Sequence, residues 1–113
     1  MRFSPLTFAA LITAISAAEL KVNYYKDGGC SQWAGVSLHP GTSWGCYTYT
    51  WNGANSANIA DCTYPNGKCA CTFYTQQYCK GASETVIYPK DNCASNWGHG
   101  YESMKCGVIH DNR

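Results

Sequence analysis

The chain has 113 residues and a formal charge of +1, from 8 basic and 7 acidic side chains. That balance supplies no basic field for nucleic acid or an anionic membrane, and no acidic field either. Beyond Arg2 the only arginine is Arg113, so the guanidinium fork of a phosphate-reading site is missing and nuclease-like roles are disfavoured.

In chain order, the first 18 residues read as a secretory signal. Arg2 supplies the positive start, Phe3 through Ile15 is mostly apolar, and Ser16-Ala17-Ala18 places small residues at a cleavage site, so the mature chain is expected to begin at Glu19. The apolar run is too short for a membrane span, and no later segment is long and apolar enough for one. Loss of Arg2 leaves seven basic against seven acidic residues in a single mature domain, residues 19–113.

After the signal, helical periodicity is nearly absent. Lys21-Val22-Asn23-Tyr24-Tyr25 begins an alternating pattern, and Tyr47-Thr48-Tyr49-Thr50-Trp51 alternates aromatic with hydroxyl side chains, as suits a strand with one buried face. Cys71 to Thr75 and Glu84 to Tyr88 are further strand candidates. Turn signals separate them: Asp27-Gly28-Gly29, Pro40-Gly41, Asn52-Gly53, Pro65-Asn66-Gly67, Lys90-Asp91-Asn92 and Gly98-His99-Gly100. Short strands with frequent turns predict an all-β fold, a small disulfide-rich β-sandwich.

All eight cysteines, Cys30, Cys46, Cys62, Cys69, Cys71, Cys79, Cys93 and Cys106, lie in the mature part. An even count in a small secreted domain implies four disulfides, and spacing alone leaves their pairing open. Cys69-Ala70-Cys71 is too tight for a zinc knuckle, so no metal is expected there. The skeleton is doubled. Tyr25 stands five residues before Cys30 and Tyr74 five before Cys79; the next cysteines follow at intervals of 16 and 16 in the first half, and of 14 and 13 in the second. Two repeats, about 21–62 and 71–106, suggest an internal duplication.

Tyr74-Thr75-Gln76-Gln77-Tyr78-Cys79-Lys80-Gly81, with Ser103 further on, resembles the Greek-key motif of the βγ-crystallin-like fold. In that motif an aromatic residue starts a folded hairpin, a glycine takes a positive φ, and a later serine ties the hairpin down. Tyr25 and Ser56 match in the first half, where Gln32 occupies the glycine position and Gly35 is displaced. The chain is most similar to the cysteine-rich, crystallin-like small secreted proteins of filamentous fungi and the related microbial killer toxins. The resemblance implies a β-sandwich of two Greek-key-like repeats, acting outside the cell, most naturally as an effector in a host apoplast. Some crystallin-like domains bind calcium through an amide or acid pair followed by hydroxyls. Asn52-Gly53-Ala54-Asn55-Ser56-Ala57 keeps only part of that pattern, and calcium wants six or more oxygen ligands; no cofactor is expected.

No catalytic set emerges. His39 abuts Pro40-Gly41, His99 lies between glycines, and neither Ser43 nor Ser95, with Asp61 or Asp91, sits in a nucleophile-elbow frame. The expectation is a non-enzymatic, monomeric protein that recognises a host extracellular protein or a cell-wall glycan. The alternatives are a killer-toxin-like or antimicrobial protein and a cell-wall glycan-binding module. Exposed aromatics stack on sugar rings or anchor protein partners. Trp33, Trp44, Trp97 and Tyr101 are the candidate binding residues, with Trp97 first, while Trp51 and Tyr49 read as core.

Overall fold

The computed structural model describes residues 19–49, 54–65, 67–95 and 100–110. The expected signal segment, Trp51 and Trp97 lie outside them. Among the described residues eight strands form in order: β1 (Leu20–Tyr25), β2 (Trp33–Leu38), β3 (Ser43–Thr48), β4 (Ser56–Cys62), β5 (Gly67–Gln76), β6 (Lys80–Ile87), β7 (Ala94–Ser95) and β8 (Ser103–His110). They make two four-stranded antiparallel sheets, β2-β1-β4-β7 and β3-β8-β5-β6. The expected all-β, disulfide-rich sandwich is what the chain forms.

The two sheets are built alike. β1, β2 and β4 correspond to β5, β6 and β8, and each repeat hands its third strand to the other sheet. β3 thus edges the second repeat's sheet and β7 edges the first's, giving two interlocked Greek-key-like repeats. Each hairpin turn is tied in the same way. The Ser56 hydroxyl accepts the Cys30 amide at 3.0 Å and donates to the Asp27 carbonyl at 2.6 Å. The Ser103 hydroxyl accepts the Cys79 amide at 2.8 Å and donates to the Gln76 carbonyl at 2.5 Å. Both serines are fully buried, where an unpaired hydroxyl would be costly. Cys30 and Cys79 each hold φ +57°. The left-handed conformation that glycine tolerates falls on Gly81 (φ +85°) in the second hairpin and on Gly35 (φ +84°) in the first, each where the strand register shifts.

The disulfides follow this exchange. Cys30–Cys93 fastens the first hairpin to the chain entering β7, and Cys46–Cys79 fastens β3 to the second hairpin. Cys71–Cys106 joins directly opposed residues of β5 and β8 inside the core, and Cys62–Cys69 closes the link between repeats. Between the sheets, Val22, Tyr24 and Ile59 of one meet Phe73, Val86 and Met104 of the other. Tyr24 and Phe73, at corresponding positions of the two repeats, pack edge to face with centroids 6.1 Å apart. Tyr49 lies 5.2 Å from Tyr24, and Tyr101 lies 5.6 Å from Phe73. Each such buried ring is worth about 2–3 kcal/mol from the apolar area it removes from water.

One strand begins earlier than the alternation predicts. β3 runs over Ser43–Thr48, taking in Tyr47 and Thr48 of the expected 47–51 strand and ending before Tyr49, while Thr50 and Trp51 lie outside the described residues. Its first half was hidden because Trp44 adopts φ +66° in a bulge, which breaks the two-residue rhythm.

Candidate recognition surfaces

Among the described residues Trp44 is exposed yet seated on backbone. Along β8 the Cys106 side chain lies in the core and Val108 packs against it, so Gly107 between them presents its empty position to the outer face. The β3 bulge lays the Trp44 indole over that position, and a Cβ at Gly107 would fall within the ring. One indole face is seated on backbone while Trp44 stays 44% exposed. Across the same face, Gly107 pairs with Ala70 and Ala70 with Ile87, and Ile109 follows two residues along β8. Ile87 and Ile109 are exposed. Lys68 stands opposite Ile109, Lys105 opposite Thr72, and the Thr72 and Thr85 hydroxyls bond at 2.7 Å. The surface is therefore an apolar strip around a flat indole, with hydroxyl and ammonium groups beside it.

Gly107→Ala should push the indole off its seat. We expect a loss of about 1–3 kcal/mol, the usual range for forcing an extra carbon into a filled site, with easier quenching of tryptophan fluorescence. Unchanged denaturation and quenching would show that the indole is not seated as described.

Trp33 marks the other sheet. It stands opposite Tyr25 at the start of β2, is 55% exposed, and donates from Nε1 to the Val36 carbonyl at 3.2 Å. Tyr25 donates to Asn58 Oδ1 at 3.1 Å, and Ser37 donates to Asn23 Oδ1. An aromatic pair here is bordered by amides and hydroxyls.

Tyr101 is not a surface residue. It is 2% exposed, packs on Phe73, and reaches Glu84 Oε1 with its hydroxyl at 3.3 Å. Its glycine-rich surroundings suggested a loop, but Gly100, at φ +72°, turns the chain so that the next ring enters the core. Burial pushes the Tyr101 hydroxyl above its ordinary pKa, with the Glu84 carboxylate adding to the shift. A shallow depression beside it is lined by Thr75, Ala82, Ser83, Glu84, Ser95 and Tyr101. Glu84 Oε1 also accepts the Ser95 amide at 3.0 Å, so this carboxylate is occupied in holding β6 to β7.

The remaining polar candidates have structural duties. Asp27 accepts the Ser31 hydroxyl and the amides of Gln32, Ser31 and Gly29, which hold its carboxyl well below the usual range. His39 pairs with Glu19 at 3.3 Å on the surface. Asn55 donates to the Lys26 carbonyl, and Ser56 is committed to its hairpin. Among the described residues no group of three or more His, Cys, Asp or Glu side chains is placed to hold a metal ion, and no helix is long and apolar enough to cross a membrane.

The four disulfides place the chain among folds typical of oxidising, extracellular surroundings. Of the sequence candidates, Trp33 and Trp44 are exposed, Tyr101 is core, and the structure brings none of these three together. Sequence reasoning missed the seat beneath Trp44, because Gly107 and Trp44 are 63 positions apart and only strand exchange makes them neighbours. Comparison with family models, with curated proteins and with solved structures finds no match for this chain.

Proposed function

We propose that the protein is a secreted, non-enzymatic recognition domain of the crystallin-like class, acting as an effector at a host surface, and that its ligand is a cell-wall glycan. The observation that carries the reading is the Trp44 indole, held flat on Gly107 with its other face exposed. Such a ring is already ordered, so stacking a pyranose on it forfeits little side-chain entropy. The Thr72–Thr85 hydroxyls and Lys105 stand on the same face, available to sugar hydroxyls. The signal-like leader and the four disulfides support action outside the producing cell. The tied hairpins of the two repeats support the crystallin-like relationship.

A host protein as ligand is the second reading, and Ile87 and Ile109 beside Trp44 favour it, since an aromatic anchor within an apolar patch is how protein interfaces concentrate their affinity. The test is retention of the oxidised mature protein on insoluble chitin and on insoluble β-glucan, against capture from host apoplastic extract. We expect retention on at least one polysaccharide, weakened at least about tenfold by Trp44→Ala, as for loss of a central anchor. Capture of a defined host protein with no polysaccharide retained would transfer the function to protein recognition. Retention unaffected by Trp44→Ala would remove this surface from the account.

A further inference from the structure

Among the described residues the two exposed tryptophans, Trp33 and Trp44, occupy opposite sides of the molecule. On β1, Val22 and Tyr24 point into the core at 0% exposure, so Tyr25 points outward, and Trp33 opposite it shares the outer face of the first sheet. Trp44 covers the outward position of Gly107 on the second sheet. In a two-layer sandwich the outer faces are directed apart, across two sheets about 10 Å from each other plus the side chains on both surfaces. One glycan chain lying along either face cannot reach the indole on the other.

Each face carries its own pairing of an aromatic with polar groups, and on the second face these include the Lys68 and Lys105 ammonium groups. On the first sheet the pairing is Trp33 and Tyr25 with Asn58, Asn23 and Ser37; on the second, Trp44 with Thr72 and Thr85. Both tryptophans are fixed rather than trailing, Trp33 by its Nε1 bond to Val36 and Trp44 by its glycine seat. Amides and hydroxyls beside a ring suit the hydroxyls and apolar face of a sugar better than they suit a purely apolar partner.

We propose that one molecule holds two glycan chains at once, one on each sheet, and so cross-links a polysaccharide network. The inference rests on the glycan reading above and adds its valency. Two weak sites on a rigid body that cannot both fold back onto one chain segment join separate chains, and the network gains avidity without any new contact.

The test uses the oxidised mature protein with a soluble chito-oligosaccharide and a soluble β-1,3-gluco-oligosaccharide in calorimetry, and with long soluble chains of the same two polymers in light scattering. The protein alone is checked for self-association by the same scattering. We expect two binding sites per protein monomer and growth of scattering with long chains that excess oligosaccharide reverses. Trp33→Ala and Trp44→Ala should each leave one site and abolish the scattering growth, while the double variant binds neither. Trp44→Leu keeps an apolar cover over Gly107 without a ring, so a folded Trp44→Leu protein with one site separates loss of stacking from loss of fold. One site in the wild type, or scattering that persists in either single variant, overturns the cross-linking and leaves glycan binding standing. No binding of either sugar by the wild type overturns both.

Discussion

Removing both reciprocal disulfides, by replacing Cys30, Cys93, Cys46 and Cys79 with alanine, is expected to abolish the native fold at room temperature. These bridges span 63 and 33 residues, against 7 for Cys62–Cys69. Restricting the unfolded chain over such loops is worth roughly 4 kcal/mol for each long bridge and roughly 2 kcal/mol for the short one. Their combined loss rivals the whole stability of a small domain, about 5–15 kcal/mol. The topology makes the loss specific. β7 has only two residues and pairs with β4 through Ser56 and Ala57, so Cys30–Cys93 is the principal tether of an edge strand too short to hold itself. Cys46–Cys79 pins β3, the edge strand of the other sheet, to the second hairpin and adds to its ladder with β8.

Single-pair variants report each bridge separately. Cys30→Ala with Cys93→Ala should lower stability by roughly 4 kcal/mol, and Cys62→Ala with Cys69→Ala by roughly 2 kcal/mol, because the shorter loop restricts less of the unfolded chain. Denaturant midpoints with near-ultraviolet circular dichroism would check both. Equal losses, or a quadruple variant that still unfolds cooperatively, would show that the exchanged strands are held by their ladders and core contacts instead.

What could be read in the sequence was mostly local. The alternation from Lys21 to Tyr25 is an amphipathic strand, and Val22 and Tyr24 turn inward as such a strand requires. The paired positions of Tyr25, Cys30 and Ser56 with Tyr74, Cys79 and Ser103 mark two hairpins tied alike, because the serine tie depends on one hydroxyl and two nearby backbone groups. The fully buried aromatics are nevertheless their neighbours, Tyr24 and Phe73, while Tyr25 and Tyr74 take the less buried positions. β4, with the sequence Ser-Ala-Asn-Ile-Ala-Asp-Cys, carries a weak strand signal of one branched residue, Ile59, yet lies between β1 and β7 with Ala57 and Ile59 buried. Strand exchange, and with it the cysteine pairing and the seat of Trp44, depends on contacts between distant segments that no local pattern encodes. Trp33 and Trp44, flanked by glycine, serine and glutamine, are exposed, whereas the glycines before Tyr101 accompany a turn that takes its ring into the core.

Above about pH 10 the protein should lose stability steeply, by about 4 kcal/mol per pH unit from Tyr24, Tyr49 and Tyr101 together. Burial pushes the Tyr24 hydroxyl well above its ordinary pKa, and neighbouring Tyr49 adds to the shift. Burial likewise raises Tyr49, reinforced by Glu102, and Tyr101, reinforced by Glu84. A raised folded-state pKa means that the native form keeps its proton while the unfolded chain gives it up. Below the unfolded value of about 10 both states are protonated, and these groups add no pH dependence. Above it the native state binds more protons than the unfolded state, so stability falls with rising pH at about 1.4 kcal/mol per unit for each tyrosine. Tyr24→Phe separates this from other alkaline effects. Phe73 fills the corresponding place in the second repeat, so the ring fits without its hydroxyl, and stability at pH 7 should change by less than about 1 kcal/mol. The slope above pH 10 should fall by about a third. Denaturant midpoints taken over short incubations from pH 8 to about 11.5, with tyrosinate absorbance followed alongside, would measure it. A flat wild-type profile, or an unchanged slope in Tyr24→Phe, would mean that these hydroxyls ionise inside the folded protein and that the aromatic centre of the sandwich is open to water.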